Sequence, residues 1–296
     1  MPDAASPTKP PTDWTYRRIL DWTQDALKKH GSESPRVEAE VLLAHAADCQ
    51  RILLYTRLDE PTPDAVRTAM RGLVQRRINA EPVAYLVGRR EFFSLPFEVS
   101  RQTLIPRPET ETLVMAALGW LEEHPGRRQV LDVGTGSGCV AVAIARNCGD
   151  ARITAIDVCE EAAAIARQNV TSNAVTDRVD VRVGDLTAPA DGEAYDVLVS
   201  NPPYVRSDEI PTLQTDVRMH EPRLALDGGA DGLDVVRRLV AEGAACVTAG
   251  GLLAIEVDPA QIEACRELIE TSEDWTDFAA VRDANGAERV VTAVRR

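Results

Sequence analysis

Hydrophobic and polar positions follow two different rhythms along the 296-residue chain. From residue 13 to about 79, apolar residues recur at helical spacing, as Val66, Met70, Leu73 and Val74 do, which predicts short helices packed against one another. Further along, short apolar strands alternate with helical segments. This alternation favours an α/β fold in which a parallel sheet is covered by helices on both faces.

The second part of the chain holds the predicted sheet. Strands are expected at 129–134, 152–158, 179–185, 195–200 and 251–257, with helices near 138–147, 160–171, 232–247 and 260–271. Asn285-Gly286 joins two further strands, 278–283 and 289–294, and predicts a hairpin whose last strand runs antiparallel to its neighbour. Ligands of such sheets bind beyond the carboxyl ends of the strands, where the strand order reverses. Polar residues at those ends are therefore the candidate site.

The first such end is Gly134-Thr135-Gly136-Ser137-Gly138, a loop of small residues between a strand and a helix. Small residues let the backbone approach a bound ligand closely. The nicotinamide fingerprint is G-x-G-x-x-G, whereas these glycines fall as G-x-G-x-G after an aspartate. This spacing is more typical of an S-adenosylmethionine site, so S-adenosylmethionine is the predicted cofactor.

Acidic residues follow the next two strands. Asp157 lies 23 residues after Gly134, the separation at which an acid accepts hydrogen bonds from ribose hydroxyls. Asp185 is predicted to accept a hydrogen bond from the adenine N6 amine, while Leu186 packs on the ring. A solvated carboxylate at a strand end is the alternative interpretation of Asp185.

The motif Asn201-Pro202-Pro203-Tyr204 directly follows the apolar strand at 195–200. Proline fixes φ and lacks an N–H, so this turn leaves its carbonyls as acceptors. Asn201 Oδ1 and the Pro202 carbonyl can accept the two protons of a substrate NH2 group, and the Tyr204 ring can cover its planar face. All four residues are predicted to bind substrate, with Asn201, Pro202 and Tyr204 catalytic and Asn201 also bordering the cofactor. A strand-ending turn is the alternative.

Charge is distributed unevenly along the chain. Residues 1–90 carry 14 basic and 12 acidic side chains, whereas residues 91–296 carry 19 basic and 35 acidic ones. Duplex DNA is bound through basic surface, so the predicted catalytic part is a poor DNA binder. The four histidines are scattered and the six cysteines form no CxxC pair, so we predict no metal site. No apolar stretch approaches the length of a membrane span, and a cytoplasmic location is expected.

Two further motifs identify a family. They are the linker Pro106-Arg107-Pro108-Glu109-Thr110-Glu111 and the block from His220-Glu221-Pro222-Arg223 to Gly232-Leu233-Asp234. With the glycine loop and the Asn-Pro-Pro-Tyr motif, they make the chain from about residue 14 onward resemble the HemK/PrmC family of protein-glutamine N5-methyltransferases. The sequence Ile255-Glu256-Val257-Asp258-Pro259 departs from that family, which usually has glycine after the glutamate. We place this segment away from the glycine loop at 134–138, which is predicted to bind the methyl donor.

The resemblance implies a class I S-adenosylmethionine-dependent methyltransferase, Rossmann-like, with a seven-stranded, mostly parallel sheet behind a small helical domain. Its implied substrate is the glutamine of the Gly-Gly-Gln motif in class-1 peptide chain release factors. The expected organisation is a disordered lead at 1–12, a helical substrate-recognition domain at 13–88, a hairpin linker at 89–108 and the methyltransferase domain at 109–296. We expect a monomer that binds neither DNA nor a membrane.

Three other functions are weighed against this one. An adenine-N6 or other amino-group DNA methyltransferase shares the Asn-Pro-Pro-Tyr motif but needs a basic groove or a target-recognition region, and the sequence indicates neither. A nicotinamide oxidoreductase is disfavoured by the glycine spacing. A donor-binding adaptor without turnover is disfavoured because both motifs are intact.

Overall fold

The computed structural model describes residues 14–296, so the lead predicted at 1–12 lies outside the described residues. The chain divides into two compact units, one ending at Val87 and the other running from Gly88 to Arg296. None of the helices in the described part combines the length and the apolar character needed to cross a membrane.

The first unit is helical. It contains α1 (Tyr16–Lys29), α2 (Pro35–Ala46), α3 (Asp64–Ile78), α4 (Val83–Val87) and a 3-10 helix at Arg51–Thr56. Thr15 begins α1 by accepting a hydrogen bond from the Arg18 N–H, and Pro35 is the first residue of α2. Both are favourable helix starts. The apolar faces of these helices bury one core, which includes Ile19, Leu27, Leu42, Leu43, Leu54, Met70 and Val74.

The second unit begins with a short hairpin, β1 (Arg89–Phe92) and β2 (Leu95–Glu98). Phe92 and Phe97 are almost fully buried, and their rings meet edge to face with centroids 6.1 Å apart. Both rings belong to the same apolar cluster as the central strands of this unit. The segment predicted as a linker at 89–108 therefore lies within the second compact unit, because its aromatic residues contribute to that unit's core.

A seven-stranded sheet forms the centre of the second unit. Its strands are β3 (Gln129–Val133), β4 (Arg152–Asp157), β5 (Val179–Val183), β6 (Tyr195–Ser200), β7 (Val247–Glu256), β8 (Trp275–Arg282) and β9 (Glu288–Arg295). Their order is β5-β4-β3-β6-β7-β9-β8. The strands from β3 to β7 are parallel, and β9 is antiparallel to both β7 and β8. The predicted Rossmann-like methyltransferase fold and its antiparallel last strand are confirmed.

Helices cover both faces of this sheet. They are α5 (Glu111–Glu123), α6 (Cys139–Asn147), α7 (Glu160–Ser172), α9 (Asp234–Cys246) and α10 (Ile262–Glu270), whereas the short helix α8 (Thr215–His220) contains no buried residue. Successive strand residues belong to opposite apolar clusters: Val130 packs with α5, α6 and α7, whereas Leu131 packs with α9 and α10. Side chains alternate across a strand, so a continuous apolar run supplies both layers.

The sheet also fixes where a ligand can bind. The chain passes outward from β3 to β4 and β5 on one side and returns to β6 on the other side of β3. The loops after β3 and β6 consequently leave the sheet at the same edge, where the strand order reverses. Such a reversal opens a crevice at the carboxyl ends of the strands.

The core that supports this crevice makes a stability prediction. Leu113 is fully buried in α5, whereas Met115 on the same helix is 59% exposed. Leu113→Ala should lower the free energy of unfolding by about 2–5 kcal/mol, because it removes buried methyl groups and leaves a cavity. Met115→Ala should change it by less than about 0.5 kcal/mol. Urea denaturation of the full chain measures both, and equal effects would contradict the assigned core.

Candidate active site

A cavity of about 370 Å³ opens at the carboxyl ends of the central strands. The residues predicted from the sequence that line it are Gly134, Thr135, Gly136, Ser137, Asp157, Asp185, Leu186, Asn201, Pro202 and Pro203. Gly138 and Tyr204 are not among its lining residues. The structure therefore brings together residues from the ends of four strands, in a volume suited to a small-molecule ligand.

The glycine loop has a left-handed backbone. Gly134, Gly136 and Gly138 have φ angles of 74°, 56° and 78°, a region that other residues rarely adopt. A Cβ atom at Gly138 would approach the Ala166 side chain of α7 to 3.2 Å. Gly138 thus permits close packing of α6 against α7, while Gly134 and Gly136 expose backbone to the cavity.

Asp132 in β3 accepts hydrogen bonds from residues within and just after this loop, and no role was predicted for it from the sequence. It is 1% exposed, and it accepts hydrogen bonds from the Thr135 hydroxyl at 2.6 Å and from the Ala141 N–H at 3.2 Å. Burial raises the pKa of Asp132 to about 7, although both hydrogen bonds oppose the rise. An acid inside an otherwise apolar strand, two residues before the first glycine of the loop, was the signal that could have identified it.

Asp157 ends β4 and faces the loop. Its Oδ2 accepts a hydrogen bond from the Gly136 N–H at 2.8 Å, and its Oδ1 accepts one from the Cys159 N–H at 2.9 Å. Burial raises the pKa of this carboxyl despite these bonds. Each carboxylate oxygen can accept more than one hydrogen bond, so the fixed group retains acceptor capacity for ribose hydroxyls.

Asp185 has a partner that the sequence did not indicate. Arg238 of α9 donates to both carboxylate oxygens, at 3.1 and 2.9 Å, and the Asp185 side chain is 60% exposed. Both residues and Leu186 line the cavity. The assignment of Asp185 to the adenine amine remains a prediction, and Arg238 would compete for the same oxygens.

The Asn-Pro-Pro-Tyr turn lies beside the glycine loop. The Ser200 hydroxyl at the end of β6 donates to the Val133 carbonyl at 2.7 Å, which joins the ends of the two strands. A Cβ atom at Gly134 would lie 3.9 Å from the Asn201 carbonyl. Asn201 Nδ2 donates to Thr110 Oγ1 at 3.1 Å. This bond uses one of the two N–H donors of the Asn201 amide and fixes the side chain through its nitrogen, and Oδ1 is the side-chain atom that can accept from a ligand.

Tyr204 points elsewhere in this structure. Its hydroxyl donates to Glu256 Oε1 at 3.4 Å, and its carbonyl accepts a hydrogen bond from Gln261 Nε2 at 2.9 Å. Burial raises the pKa of the Tyr204 phenol above its ordinary value. The predicted covering of a substrate by its ring stays a prediction, and the contacts with Glu256 and Gln261 anchor the base of the turn.

Two motifs that carried the family resemblance, the proline-rich linker at 106–111 and the block at 220–234, meet at the rim of the cavity. Arg107 of the proline-rich linker forms an ion pair with Glu221, whose Oε2 also accepts a hydrogen bond from the Ile105 N–H at 3.3 Å. Burial raises the pKa of Glu221, and the Arg107 charge opposes the rise. Leu224, 62% exposed, lies in the same cavity wall. The rim therefore combines an ion pair whose acidic partner is buried with an exposed apolar side chain.

Fold and site together define a class I methyltransferase. A family model described as "Methyltransferase small domain" matches residues 115–229, and one described as "PrmC N-terminal domain" matches residues 18–88. Among solved structures, the hMettl16 catalytic domain in complex with a 3′UTR hairpin is similar with a TM-score of 0.54. It is 16% identical and covers 75% of this chain and 81% of its own, which supports the fold alone.

Closer relatives define the family. The "Release factor glutamine methyltransferase" of Rhodopirellula baltica is 42% identical over 286 residues, covering 95% of this chain and 96% of the relative. The protein of the same name from Geobacter sulfurreducens is 38% identical, covering 96% and 98%. The chain belongs to the release factor glutamine methyltransferase family.

Methyltransferases of this type use S-adenosylmethionine as the methyl donor, and the cavity suits it. Asp157 places a carboxyl group without an arginine partner at the cavity, and its ionised form favours a cationic sulfonium. The two arginines in its lining, Arg107 and Arg238, are both paired with acids. The loop at 134–137 and Asp157 are the residues that would hold the donor.

The geometry of Asp157 predicts a donor-binding defect. Asp157→Ala should weaken S-adenosylmethionine affinity at least about tenfold, or about 1.4 kcal/mol. The reason is that the cavity loses a fixed hydrogen-bond acceptor for the ribose hydroxyls of S-adenosylmethionine. Asp177, 75% exposed and outside the cavity, offers the matched control Asp177→Ala. Isothermal titration calorimetry measures both variants. Unchanged affinity in Asp157→Ala would remove the ribose assignment.

Proposed function

We propose that this protein transfers a methyl group from S-adenosylmethionine to the N5 amide nitrogen of the glutamine in the Gly-Gly-Gln motif of class-1 peptide chain release factors. The observation that carries the proposal is the orientation of Asn201. A hydrogen bond from its Nδ2 to Thr110 fixes the amide, and its Oδ1 is the side-chain acceptor at a cavity shared with the glycine loop. Such a group recognises the N–H of a carboxamide.

The chemistry requires this acceptor because an amide nitrogen is a poor nucleophile, its lone pair being delocalised into the carbonyl. Hydrogen bonds from the substrate NH2 to Asn201 Oδ1 and the Pro202 carbonyl would increase electron density on nitrogen. The donor contributes a methyl group on a sulfonium, which is already a good leaving group. Holding the nitrogen in line with that methyl can lower the barrier by roughly 7–11 kcal/mol.

A strong general base is not needed for this reaction. Among the described residues, those that line the cavity include neither histidine nor lysine. The amide nitrogen loses its proton readily once it carries the new methyl group, and water can accept that proton. The residues of the turn consequently orient and polarise the amide, while the nitrogen itself forms the new bond.

The helical unit is the proposed contact for the release factor. Several of its large apolar side chains are exposed: Trp22, Val37, Ile52, Leu53 and Tyr55. Exposed apolar residues on a small helical unit favour a protein partner. Binding to a second region of the release factor would raise the effective concentration of its glutamine at the cavity. A monomeric state stays a prediction.

The alternative, an amino-group DNA methyltransferase, is not favoured. The relatives that cover nearly the whole chain are named for release factor glutamine methylation. The acidic excess of residues 91–296 also opposes phosphate contacts. A duplex carrying adenine and cytosine targets is therefore a useful negative substrate.

The proposed function is tested by mass spectrometry of a class-1 release factor incubated with the purified protein and methyl-labelled donor. We expect one added methyl on the glutamine of Gly-Gly-Gln, and none on a release factor in which that glutamine is replaced by glutamate. The DNA duplex should remain unlabelled. Label on the DNA, or on another residue of the release factor, would overturn the proposal.

The acceptor role of Asn201 makes a separate kinetic prediction. Asn201→Ala should lower kcat about 10²–10³-fold, as the loss of one preorganised polar group does, and should change the affinity for S-adenosylmethionine little. Asn285→Ala in the turn between β8 and β9 is the control, because this asparagine lies outside the cavity. Steady-state kinetics and calorimetry give the two quantities. A near-normal kcat would exclude the role.

A further inference from the structure

A buried glutamine lies behind the Asn-Pro-Pro-Tyr turn. Gln261 ends the 3-10 helix Pro259–Gln261 that follows β7, and it is 9% exposed. Its Nε2 donates to the Tyr204 carbonyl at 2.9 Å and to the Asp231 carbonyl at 3.3 Å. Its Oε1 accepts a hydrogen bond from the Asp258 N–H at 3.1 Å. One side-chain amide therefore connects three segments of backbone, and Gln261 is not among the residues that line the cavity.

The chemistry of these partners determines the orientation of the Gln261 amide. A carbonyl oxygen only accepts and a backbone N–H only donates, so the amide nitrogen must face the two carbonyls and the amide oxygen must face Asp258. A capping box holds this orientation, with Asp258 as its first residue and Gln261 as its last. The Asp258 carboxylate completes it by accepting from the Ala260 N–H at 2.9 Å. The cap belongs to the segment whose sequence departs from the usual family pattern.

Two glycines let neighbouring backbone approach the back of the turn. A Cβ atom at Gly228 would lie 2.7 Å from the Pro203 carbonyl oxygen. A Cβ atom at Gly232 would overlap both the Tyr204 carbonyl oxygen and Gln261 Nε2. Gly232 also has a φ of 77°, which disfavours any side chain. Glycine at this position is therefore needed for the Gln261 amide to reach the turn.

The two prolines make the direction of the Pro202 carbonyl depend on both ends of the turn. Each proline ring locks φ and the peptide bonds are planar, so the ψ angles of the two prolines are the soft dihedrals between Asn201 and Tyr204. The Ser200 hydroxyl fixes the start of the turn to β3. Gln261 fixes its end through the Tyr204 carbonyl. With both ends fixed, few values of ψ remain and the Pro202 carbonyl keeps one direction.

We propose that Gln261 is a positioning residue for the methylation site, which fixes the end of the turn and thereby aims the Pro202 carbonyl at the substrate NH2 group. This inference rests on the proposed function and deepens it, because it assigns the residue that orients the second of the two acceptors. Thr110 holds the Asn201 amide, and Gln261 holds the other end of the turn. Without Gln261 the prolines can rotate about ψ, and the substrate amide keeps only one correctly directed acceptor.

Gln261→Glu tests the proposal because it keeps the shape of the side chain and its acceptor for the Asp258 N–H but removes both donors. We expect kcat on the release factor to fall about 10- to 100-fold, because two buried carbonyls lose their donor and face a carboxylate. The affinity for S-adenosylmethionine and the KM for the release factor should each change less than about twofold, since Gln261 lies outside the cavity lining. Gln168→Glu, on an exposed residue of α7 outside the cavity, is the matched control.

The pH dependence of Gln261→Glu distinguishes a positioning role from a general loss of stability. Burial and the nearby carbonyl oxygens favour the neutral carboxyl, so the pKa of the introduced group should lie above that of an ordinary glutamate. Its protonated form can donate to one carbonyl, and the ratio of wild-type to variant kcat should therefore shrink as the pH is lowered through that pKa. Gln261→Met removes both donors without adding a charge, and its kcat ratio should stay high at every pH.

The ratio of the two kcat values removes titrations that the wild type and the variant share. The titratable or charged groups next to Gln261 and its partners are Asp231, Arg237, Asp258, Arg289, Tyr204 and Glu256. All of them are present in both proteins. A change of the ratio with pH consequently reports the introduced carboxyl, and a ratio that does not change with pH would overturn the proposed role of the Gln261 donors.

Two glycines with the same backbone conformation provide a second test. Gly232 and Gly192 have φ angles of 77° and 78°, but within residues 14–296 nothing lies within 4 Å of a Cβ atom at Gly192. Gly232→Ala and Gly192→Ala should both lower Tm, because a side chain disfavours this φ. Only Gly232→Ala should also lower kcat, since its Cβ displaces the Gln261 amide from the turn. Equal effects of the two variants on kcat would contradict the proposal.

A measurement without the release factor separates this inference from the proposed function. Tyr204-Val205 is the only tyrosine–valine pair in the sequence. Labelling tyrosine with ¹³C at the carbonyl and valine with ¹⁵N therefore gives a single carbonyl resonance, that of Tyr204, in a spectrum that correlates the two nuclei. This resonance should shift in Gln261→Glu, because the carbonyl loses its hydrogen bond, and should return toward the wild-type position as the pH is lowered.

The two readouts fail in different ways. A wild type that does not methylate glutamine, together with the expected behaviour of the Tyr204 resonance, would overturn the proposed function alone. A wild type that methylates glutamine, together with a normal kcat in Gln261→Glu, would overturn the inference alone. A Tyr204 resonance that does not move in Gln261→Glu would also overturn the inference.

Discussion

The parallel pairing of β3 with β6 is the constraint on which the site depends. The register sets Val130 against Val197 and Val133 against Ser200, and the buried Ser200 hydroxyl donates to the Val133 carbonyl. The glycine loop and the Asn-Pro-Pro-Tyr turn start at the residues that directly follow this pair. A slip of one residue would invert every side chain of β6 between the two faces, so the buried apolar residues hold the register. Core packing on both faces of the sheet therefore determines the distance between the glycine loop and the Asn-Pro-Pro-Tyr turn.

Sequence patterns predicted the parts of the molecule that depend on local chemistry. The strand and helix order, the Asn-Gly hairpin and the position of the glycine loop follow from periodicity, turn residues and backbone freedom. The cavity groups residues from four strand ends because parallel strands deliver their carboxyl ends to one edge. The hairpin at the start of the second unit was predicted only as part of a linker. Nothing in its local sequence shows that Phe92 and Phe97 enter the same core as the sheet.

The contacts that orient the site could not be predicted in this way. Asn201 meets Thr110 across 91 residues of sequence, Asp185 meets Arg238 across 53, and Tyr204 meets Glu256 across 52. Each pairing depends on which strands become neighbours and on the exact direction of a side chain. A polar residue at a strand end indicates a site, but its hydrogen-bond partner is set by the packing of the whole domain. For this reason Asp132 and Glu256, two buried acids on central strands, received no role from the sequence.

The Asn-Pro-Pro-Tyr turn is held from several directions before any substrate binds. Ser200 fixes its start to β3, Thr110 fixes the Asn201 amide, and Gln261 holds the Tyr204 carbonyl. Two prolines remove backbone freedom between these points. Reorganisation of a polar site during reaction costs free energy, and a site whose acceptors are already aimed avoids that cost. A weak nucleophile such as a carboxamide benefits more from preorganised acceptors than a strong nucleophile does, because orientation supplies much of the rate of its methylation. The rigidity of the turn thus corresponds to the low reactivity of the group it is proposed to bind.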